Sequence, residues 1–497
     1  MSIKQKVIKG TFWNLMERLS THVVTFGVGI VLARLLSPAD YGQVALLTIF
    51  TSIAGVLADS GFGSALIQKK NATELDFNSV FYFSLGITLV LYLILFMFAP
   101  TIAEFYKNAQ LCPILRVMAI TLFFNAINSV QNAELTRKML FNLSFRISLI
   151  STFTSAFIGV ALALLGYGVW ALVWMNIAGG AVGVISRWVI IAWRPRIMFS
   201  RLALVPLFKY GWKMSVSGLL NTGFSNLNGL VIGKFYSGED LSFVNRGMHI
   251  PQMLMSNIVG TIDRVSFPVL AQKQDERHVV REIMRRMLVV TTFAVFPLMM
   301  LLAVTAKNTI IFIYGQKWVN AVPYAVIGCF GFALWPFHRV NLQGIQAIGR
   351  SDVFLKLEVI KKIFGVLVLL VFIPKGVMHW CLAETFIGGV FYIIVNSLPN
   401  RKLLGYTLAM QMQDVLPSIL VCIAISLPLC LINLLQVSSQ MARVGVIVAQ
   451  GIVAVTLYLL ISFAFRLRGM CEFAAIIRTK MLPMLPFLNS VFKYLEK

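Results

Sequence analysis

The apolar residues of this chain fall in long blocks separated by short polar segments. They do not form the narrow stripe of an amphipathic helix or the alternation of a half-buried strand. The blocks lie near residues 12–35, 43–67, 78–99, 113–133, 147–165, 169–192, 209–233, 243–268, 287–306, 321–346, 359–374, 377–396, 413–434 and 443–464. Each approaches the ~20 residues that an α-helix needs to cross a hydrocarbon core. The pattern predicts an all-α integral membrane protein of about fourteen transmembrane helices. An amphipathic stretch through Ile310–Tyr314 follows the ninth block, and only Pro374, Lys375 and Gly376 part the eleventh from the twelfth. The longest connecting segments run to about twenty residues, so no soluble catalytic domain is expected.

Composition sharpens this class. Hydrophobic residues make up 58% of the 497 residues and charged residues 12%, whereas soluble domains carry about 45–50% and about 25%. The net charge is +24, from 43 lysines and arginines against 19 acidic residues. In a soluble protein that excess would raise nucleic-acid binding. Here no nucleic-acid partner is expected, because the basic residues collect in alternate loops. One set holds Lys69, Lys70, Arg137, Lys138, Arg194, Arg196, Arg281, Arg285, Arg350, Lys361, Arg401 and Lys402, and the opposite set is sparse, with Lys107, Lys307 and Lys317. The positive-inside rule makes the first set, and with it both termini, cytoplasmic. Lys4, Lys6 and Lys9 precede a first block that contains Glu17, Arg18 and His22, so a cleavable signal peptide is not expected. In the basic tail, Met481, Leu482, Met484, Leu485, Phe487 and Leu488 suggest a helix lying on the inner leaflet, interrupted by Pro483 and Pro486. The six cysteines are scattered with no CxxC pair, and read as small buried hydrophobes.

A weak internal repeat supports a two-lobed chain. Residues 31–40 (VLARLLSPAD) lie two hundred positions before 231–240 (VIGKFYSGED), and both set a basic residue, then Ser and Asp, past the outer end of a block. Repeats of six spans share one orientation and are related by an axis along the membrane normal. The expected organisation is a six-helix lobe over 1–205, a second over 206–405, two further helices over 406–465 and a basic cytoplasmic tail over 466–497.

The sequence has no GxxxxGK[ST] phosphate loop, no HExxH and no GxSxG, so neither an enzyme nor an ATP-driven pump is expected, and no cofactor or metal. Chemistry is carried by ionisable and amide side chains inside the blocks, where they are costly unless they serve a site. In the first block Asn14, Glu17, Arg18, Thr21, His22 and Thr25 follow helical steps of three and four. Ser217, Asn221, Ser225 and Asn228 do the same in the seventh, and Asn257, Thr261 and Arg264 in the eighth, with Asp263 beside them and Arg246 and His249 toward the outer end. The second block offers Asp59, and the tenth His338, Arg339, Asn341 and Gln343. Lining of a water-filled cavity by these faces explains them better than lipid exposure does. Taken singly, Glu17 with Arg18 or Asp263 with Arg264 also reads as a structural ion pair, and an asparagine face as glue between helices.

The run 31–42 (VLARLLSPADYG), with 59–63 (DSGFG) and 65–69 (ALIQK), resembles the polysaccharide repeat-unit flippases. So do 267–271 (FPVLA), 274–276 (QDE), 315–318 (GQKW) and 346–352 (QAIGRSD). In order and spacing the set resembles the colanic-acid and O-antigen exporter branch (lipopolysaccharide biosynthesis proteins) of the MOP superfamily. The resemblance implies two six-helix lobes around a central cavity and alternating access, with two extra helices that help to handle a lipid tail. It also implies a substrate in which a polyprenyl diphosphate, undecaprenyl in bacteria, carries an oligosaccharide across the inner membrane for exopolysaccharide, O-antigen or capsule assembly. Implied partners are that substrate, membrane lipids, and a polymerase with its chain-length partners. Under this reading Arg18 and Arg264 hold the diphosphate, with Arg246 and Arg339 as further cations, and Glu17, His22, Asp59, Asn221, Asn257 and Asp263 complete the polar surface. The alternative is a cation-coupled multidrug exporter of the same fold, which an acidic cavity would favour.

Overall fold

A computed structural model describes residues 3–59, 61–433 and 439–481, with side chains described from residue 9 to 474 except at 210, 261 and 263–265. Among the described residues all regular structure is helical. Eleven segments are long and apolar enough to cross a membrane, so the chain is a multi-pass membrane protein. Helices also cover the predicted seventh, eighth and eleventh blocks, but they are not among those eleven. Fourteen crossings therefore remains an expectation. Two compact units divide the chain, Met1–Ser242 and Phe243–Lys497.

The first unit is built from α1 (Ile3–Leu35), α2 (Pro38–Asp59), α3 (Phe62–Gln68), α4 (Glu74–Phe105), α5 (Leu111–Met118), α6 (Thr121–Arg137), α7 (Phe141–Leu164), α8 (Val169–Ile190) and α9 (Arg201–Phe235), with the first turn of α10 (Gly238–Gln272). The seventh predicted block, which the repeat assigns to the second lobe, is α9, and it packs on α2, α3 and α4 of the first unit. Phe62, Leu66, Phe77, Phe81, Val130 and Leu204 form a buried cluster that joins α3, α4, α6 and α9. The predicted fourth block resolves into α5 and α6. Phe157 and Val189 are more than half exposed, as lipid-facing side chains are.

The repeated Ser and Asp are explained by helix starts. Ser37 Oγ accepts from Asp40 N at 3.2 Å while Asp40 Oδ2 accepts from Ser37 N at 2.9 Å, a reciprocal capping box on α2. Ser237 Oγ accepts from Asp240 N at 3.0 Å and donates to Asp240 Oδ2 at 2.6 Å at the start of α10. These two starts touch. A Cβ on Gly42 would collide with the carbonyl of Gly238 and reach Glu239 N at 2.8 Å. Overpacking of this kind costs about 1–3 kcal/mol. Gly42→Ala is therefore expected to lower the melting temperature in detergent and the amount of protein in membranes. Gly27→Ala, where a Cβ would meet nothing within 4 Å, should not.

The second unit continues α10 and adds α11 (Arg277–Tyr314), α12 (Val322–Ala333), α13 (Trp335–Ala347), α14 (Ser351–Phe372), α15 (Val377–Leu382), α16 (Gly389–Leu404), α17 (Leu408–Ile432), α18 (Gln440–Ala464) and α19 (Arg468–Met481). Its hub is α11, which runs through the expected amphipathic stretch to Tyr314 and packs on α12, α13, α17, α18 and α19. The predicted tenth block is broken into α12 and α13 around Leu334, next to Pro336. Phe293, Phe296, Cys422, Ile425, Leu429 and Tyr458 belong to one buried apolar cluster, and Tyr458 Oη donates to the Phe293 carbonyl at 3.1 Å. Lipid tails compete for apolar surface as well as a neighbouring helix does, so polar links add specificity here. The fully buried Asn341 and Gln411 side chains exchange hydrogen bonds of 2.8 and 3.0 Å. Tail residues 482 to 488, expected on the inner leaflet, lie outside the described residues.

Candidate functional site

Polar groups converge on a cavity inside the first unit. It has a volume of about 1030 Å³, is open on one side and is lined by α2, α3, α6, α8 and α9. Ligand pockets span ~300–1,000 Å³, so there is room for an oligosaccharide. Thr51 and Asp59 come from α2, and Asn125, Asn128, Ser129 and Asn132 from one stripe of α6. Arg187 comes from α8, and Asn221, Ser225 and Asn226 from α9.

Local structure aims these groups. Gly61, at φ 66°, turns the chain sharply between α2 and α3. A Cβ there would collide with the carbonyl of Gly211 and stand 3.0 Å from Met214 Cβ, so only glycine lets α3 close against α9. Arg137 then holds the far end of α3, donating to the carbonyls of Leu66 at 2.6 Å and Lys69 at 2.5 Å. Asp59 accepts a short hydrogen bond from Ser129 Oγ, which ties the end of α2 to α6.

Arg187 is the cation of the cavity. Its Nε and Nη2 donate to Asn132 Oδ1 at 3.3 and 3.1 Å, and Nη1 donates to the Gly183 carbonyl at 3.1 Å. A guanidinium carries five N–H groups in a rigid fork, so the orientation is set with donors to spare. Glu17 on α1 interacts with it electrostatically, and Glu17 Oε1 itself accepts from Ser148 Oγ at 2.6 Å. The amide side chains around it both donate and accept, which suits sugar hydroxyls. Asn128 Oδ1 is buried with no hydrogen-bond partner among the described residues.

The sequence-predicted residues separate into groups. Asp59 and Asn221 line the cavity. Glu17 stands behind it, bonded to Ser148, and not paired with Arg18. Arg18 and His22 are exposed on α1 and are not among the lining residues. In the second unit Arg246 lies over the rings of the buried Tyr314 and Trp318, at 5.5 and 5.9 Å from their centroids. His249 Nδ1 is 3.4 Å from Tyr314 Oη. Asn257 donates to the Met253 carbonyl at 2.9 Å, one turn back, and Arg339 is exposed. The side chains of Thr261, Asp263 and Arg264 lie outside the described residues. Sequence reasoning missed Arg187 and the α6 asparagines. The signal was present, since Asn125, Asn128 and Asn132 follow steps of three and four and Arg187 is an arginine inside an apolar block.

These features define the class as a multi-pass helical membrane protein with a polar cavity inside its first unit. No cluster of three or more His, Cys, Asp or Glu able to hold a metal ion occurs among the described residues. Residues 31–323, more than half of the chain, match the family described as "Polysaccharide biosynthesis protein", and the chain belongs to that family. The teichuronic acid biosynthesis protein TuaB of Bacillus subtilis is 24% identical over 436 residues, covering 84% of this chain and 86% of the relative. The lipopolysaccharide biosynthesis protein WzxC of Escherichia coli is 22% identical over 371 residues, 73% of this chain and 74% of the relative. Among solved structures, the lipid II flippase MurJ in an inward closed conformation shares the fold, with a TM-score of 0.69 and 15% identity over 92% of this chain and 98% of that one.

Proposed function

We propose that this chain is a flippase that moves undecaprenyl-diphosphate-linked oligosaccharide units across the bacterial inner membrane by alternating access. The single observation that carries the reading is the first unit's cavity, in which one oriented arginine and a wall of amides sit inside a membrane bundle of this family. Arg187 offers two-pronged hydrogen bonding to phosphate oxygens, and the amides replace water around sugar hydroxyls. No bond of the substrate changes; the work is translocation. Arg18 and Arg264 belong to the same reading as cations met along the path. The proposed organisation keeps two six-helix lobes over 1–205 and 206–405, with α17 and α18 assisting the lipid tail. Both termini lie in the cytoplasm, and the helix starts at Ser37 and Ser237 in the periplasm. A polymerase with its chain-length partners receives the product.

The test is deletion in the native host, with lipid-linked repeat units extracted and assayed for leaflet exposure. Surface polysaccharide should disappear while lipid-linked units accumulate on the cytoplasmic leaflet, and the wild-type chain should restore export. Undiminished polysaccharide combined with raised sensitivity to cationic drugs would sink the flippase and favour the exporter.

A further inference from the structure

We propose that the second unit contains a proton-binding site centred on Glu384, which couples transport to proton movement. The coupling rests on the transport reading above; the proton site does not.

Between α15 and α16 the helix widens into a π turn over Ala383–Gly388. Such turns are rare and concentrate at functional sites. In a regular α-helix residues eight apart differ by about 80° in direction. A π turn absorbs one residue, which reduces the difference to about 20°. Glu384 and Tyr392 thereby come to one face, and Tyr392 Oη donates to Glu384 Oε1 at 2.9 Å. The other carboxyl oxygen, Oε2, is buried with no hydrogen-bond partner among the described residues. Glycines leave space for the pair. A Cβ on Gly388 would stand 3.3 Å from Glu384 Oε2, and one on Gly365 of α14 would stand 2.9 Å from Tyr392 Oη.

Among the described residues, the titratable groups around the Glu384–Tyr392 pair come from α13, α14 and α15. From α13 comes His338, whose ring meets Tyr392 edge-on at 6.2 Å. From α14 comes Lys361, which interacts electrostatically with His338 and is paired with Glu358 at 2.5 Å. From α15 comes Cys381, whose thiol interacts with the Glu384 charge. No ion pair reaches Glu384 among the described residues. A carboxylate out of water with one donor is an expensive charge, and binding a proton removes it without any other reactant.

The site is also wired to its surroundings. His338 Nδ1 lies 3.4 Å from Asn396 Nδ2, and Asn400 Nδ2 donates to the Asn396 carbonyl at 3.3 Å and to Asn341 Oδ1 at 2.8 Å. Asn341 exchanges hydrogen bonds with Gln411 on α17. Protonation at Glu384 therefore bears on polar links that join α13, α16 and α17.

The experiment uses purified full-length protein and infrared difference spectra across a pH series. Wild type should show a carboxyl band that titrates and is lost in Glu384→Gln, with sodium at fixed pH leaving it in place. Tyr392→Phe, which removes the donor and keeps the carboxyl, should shift the titration, so the proposal stays testable if the Gln variant folds poorly. Absence of a Glu384-dependent band, or its displacement by sodium, overturns the proton site. In cells Glu384→Gln should lose polysaccharide export, or its dependence on external pH, at normal membrane abundance. A titrating band with unchanged export and unchanged pH dependence overturns the coupling and leaves the flippase intact. A titrating band in a chain whose deletion leaves polysaccharide untouched overturns the flippase instead.

Discussion

Replacing Arg187 by glutamate is expected to abolish surface polysaccharide in cells that depend on this chain, with the protein still present in membranes. Hydrogen bonds to charged groups contribute about 1.5–3 kcal/mol, which is roughly 10–100-fold in binding, and reversal adds repulsion from a diphosphate. The loss is also local. Asn132 would keep its place through the helical backbone of α6 and Glu17 would retain Ser148, while the new carboxylate repels Glu17, which is why export is read against membrane abundance. Arg187→Lys keeps the charge and loses the fork that Asn132 orients, and about a tenfold reduction is expected. Polysaccharide per cell, normalised to membrane abundance, is the measurement. Arg18→Glu and Arg264→Glu are the comparators. If those two reversals abolish export and Arg187→Glu does not, the diphosphate is held where the sequence alone pointed, outside the first unit's cavity.

Asp414 carries the second large effect, on stability. It lies in the first turns of α17, and its side chain is only 4% exposed. Arg285 of α11 grips it through Nε and Nη2 at 2.9 and 2.8 Å, Arg468 of α19 reaches it at 2.8 Å, and Tyr406 Oη donates at 3.3 Å. One carboxylate thus joins three helices and a loop. Removing it by Asp414→Ala leaves the half-buried Arg285 with only the longer contact to Glu282 at 3.7 Å, at a cost of up to about 3 kcal/mol. The melting temperature in detergent should fall, and trypsin should cut at Arg468 as α19 loses one of its ion pairs, another among the described residues being Arg286 with Glu472 at 2.7 Å. Arg468→Ala should do far less to stability, because that arginine is 40% exposed and such pairs are worth about 0–1 kcal/mol. Equal melting temperatures for wild type and Asp414→Ala would show that packing of α11 on α17 suffices without the ion pairs.

Parts of the site were legible without a structure, for definite reasons. Asp59 and Asn221 stand out because a carboxyl or an amide in mid-block is costly unless something solvates it. Arg187 obeys the same rule but lies near the end of its block, where a long side chain can also snorkel to the headgroups. Only the packing of α6 against α8, which sets Asn132 opposite the guanidinium, distinguishes the two. Arg246 differs again. Its residue type made it a further candidate cation toward the outer end of its block, and only the packing places it over the rings of Tyr314 and Trp318, far along the chain on the neighbouring segment. The first-unit motifs of the flippase resemblance coincide with structural devices: a capping box at Ser37, a left-handed turn at Gly61 and a helix end whose carbonyls Arg137 holds.

The sequence by itself determined the class and the approximate positions of the helical blocks, because hydrophobic length acts within a few residues along the chain, whereas the breaks at Gly61 and Leu334 inside the second and tenth blocks appeared only in the structure. It also marked the polar faces of the second and seventh blocks, but not those of the fourth and sixth, which line the same cavity. Tertiary structure alone decided that α9 closes a cavity with α2, α3 and α6, and that Asp414 gathers two distant arginines. It likewise decided that a π turn carries Glu384 round to Tyr392. Each of these depends on which helix faces share an interface, and helix faces meet through packing between residues tens to hundreds of positions apart, which no local period records.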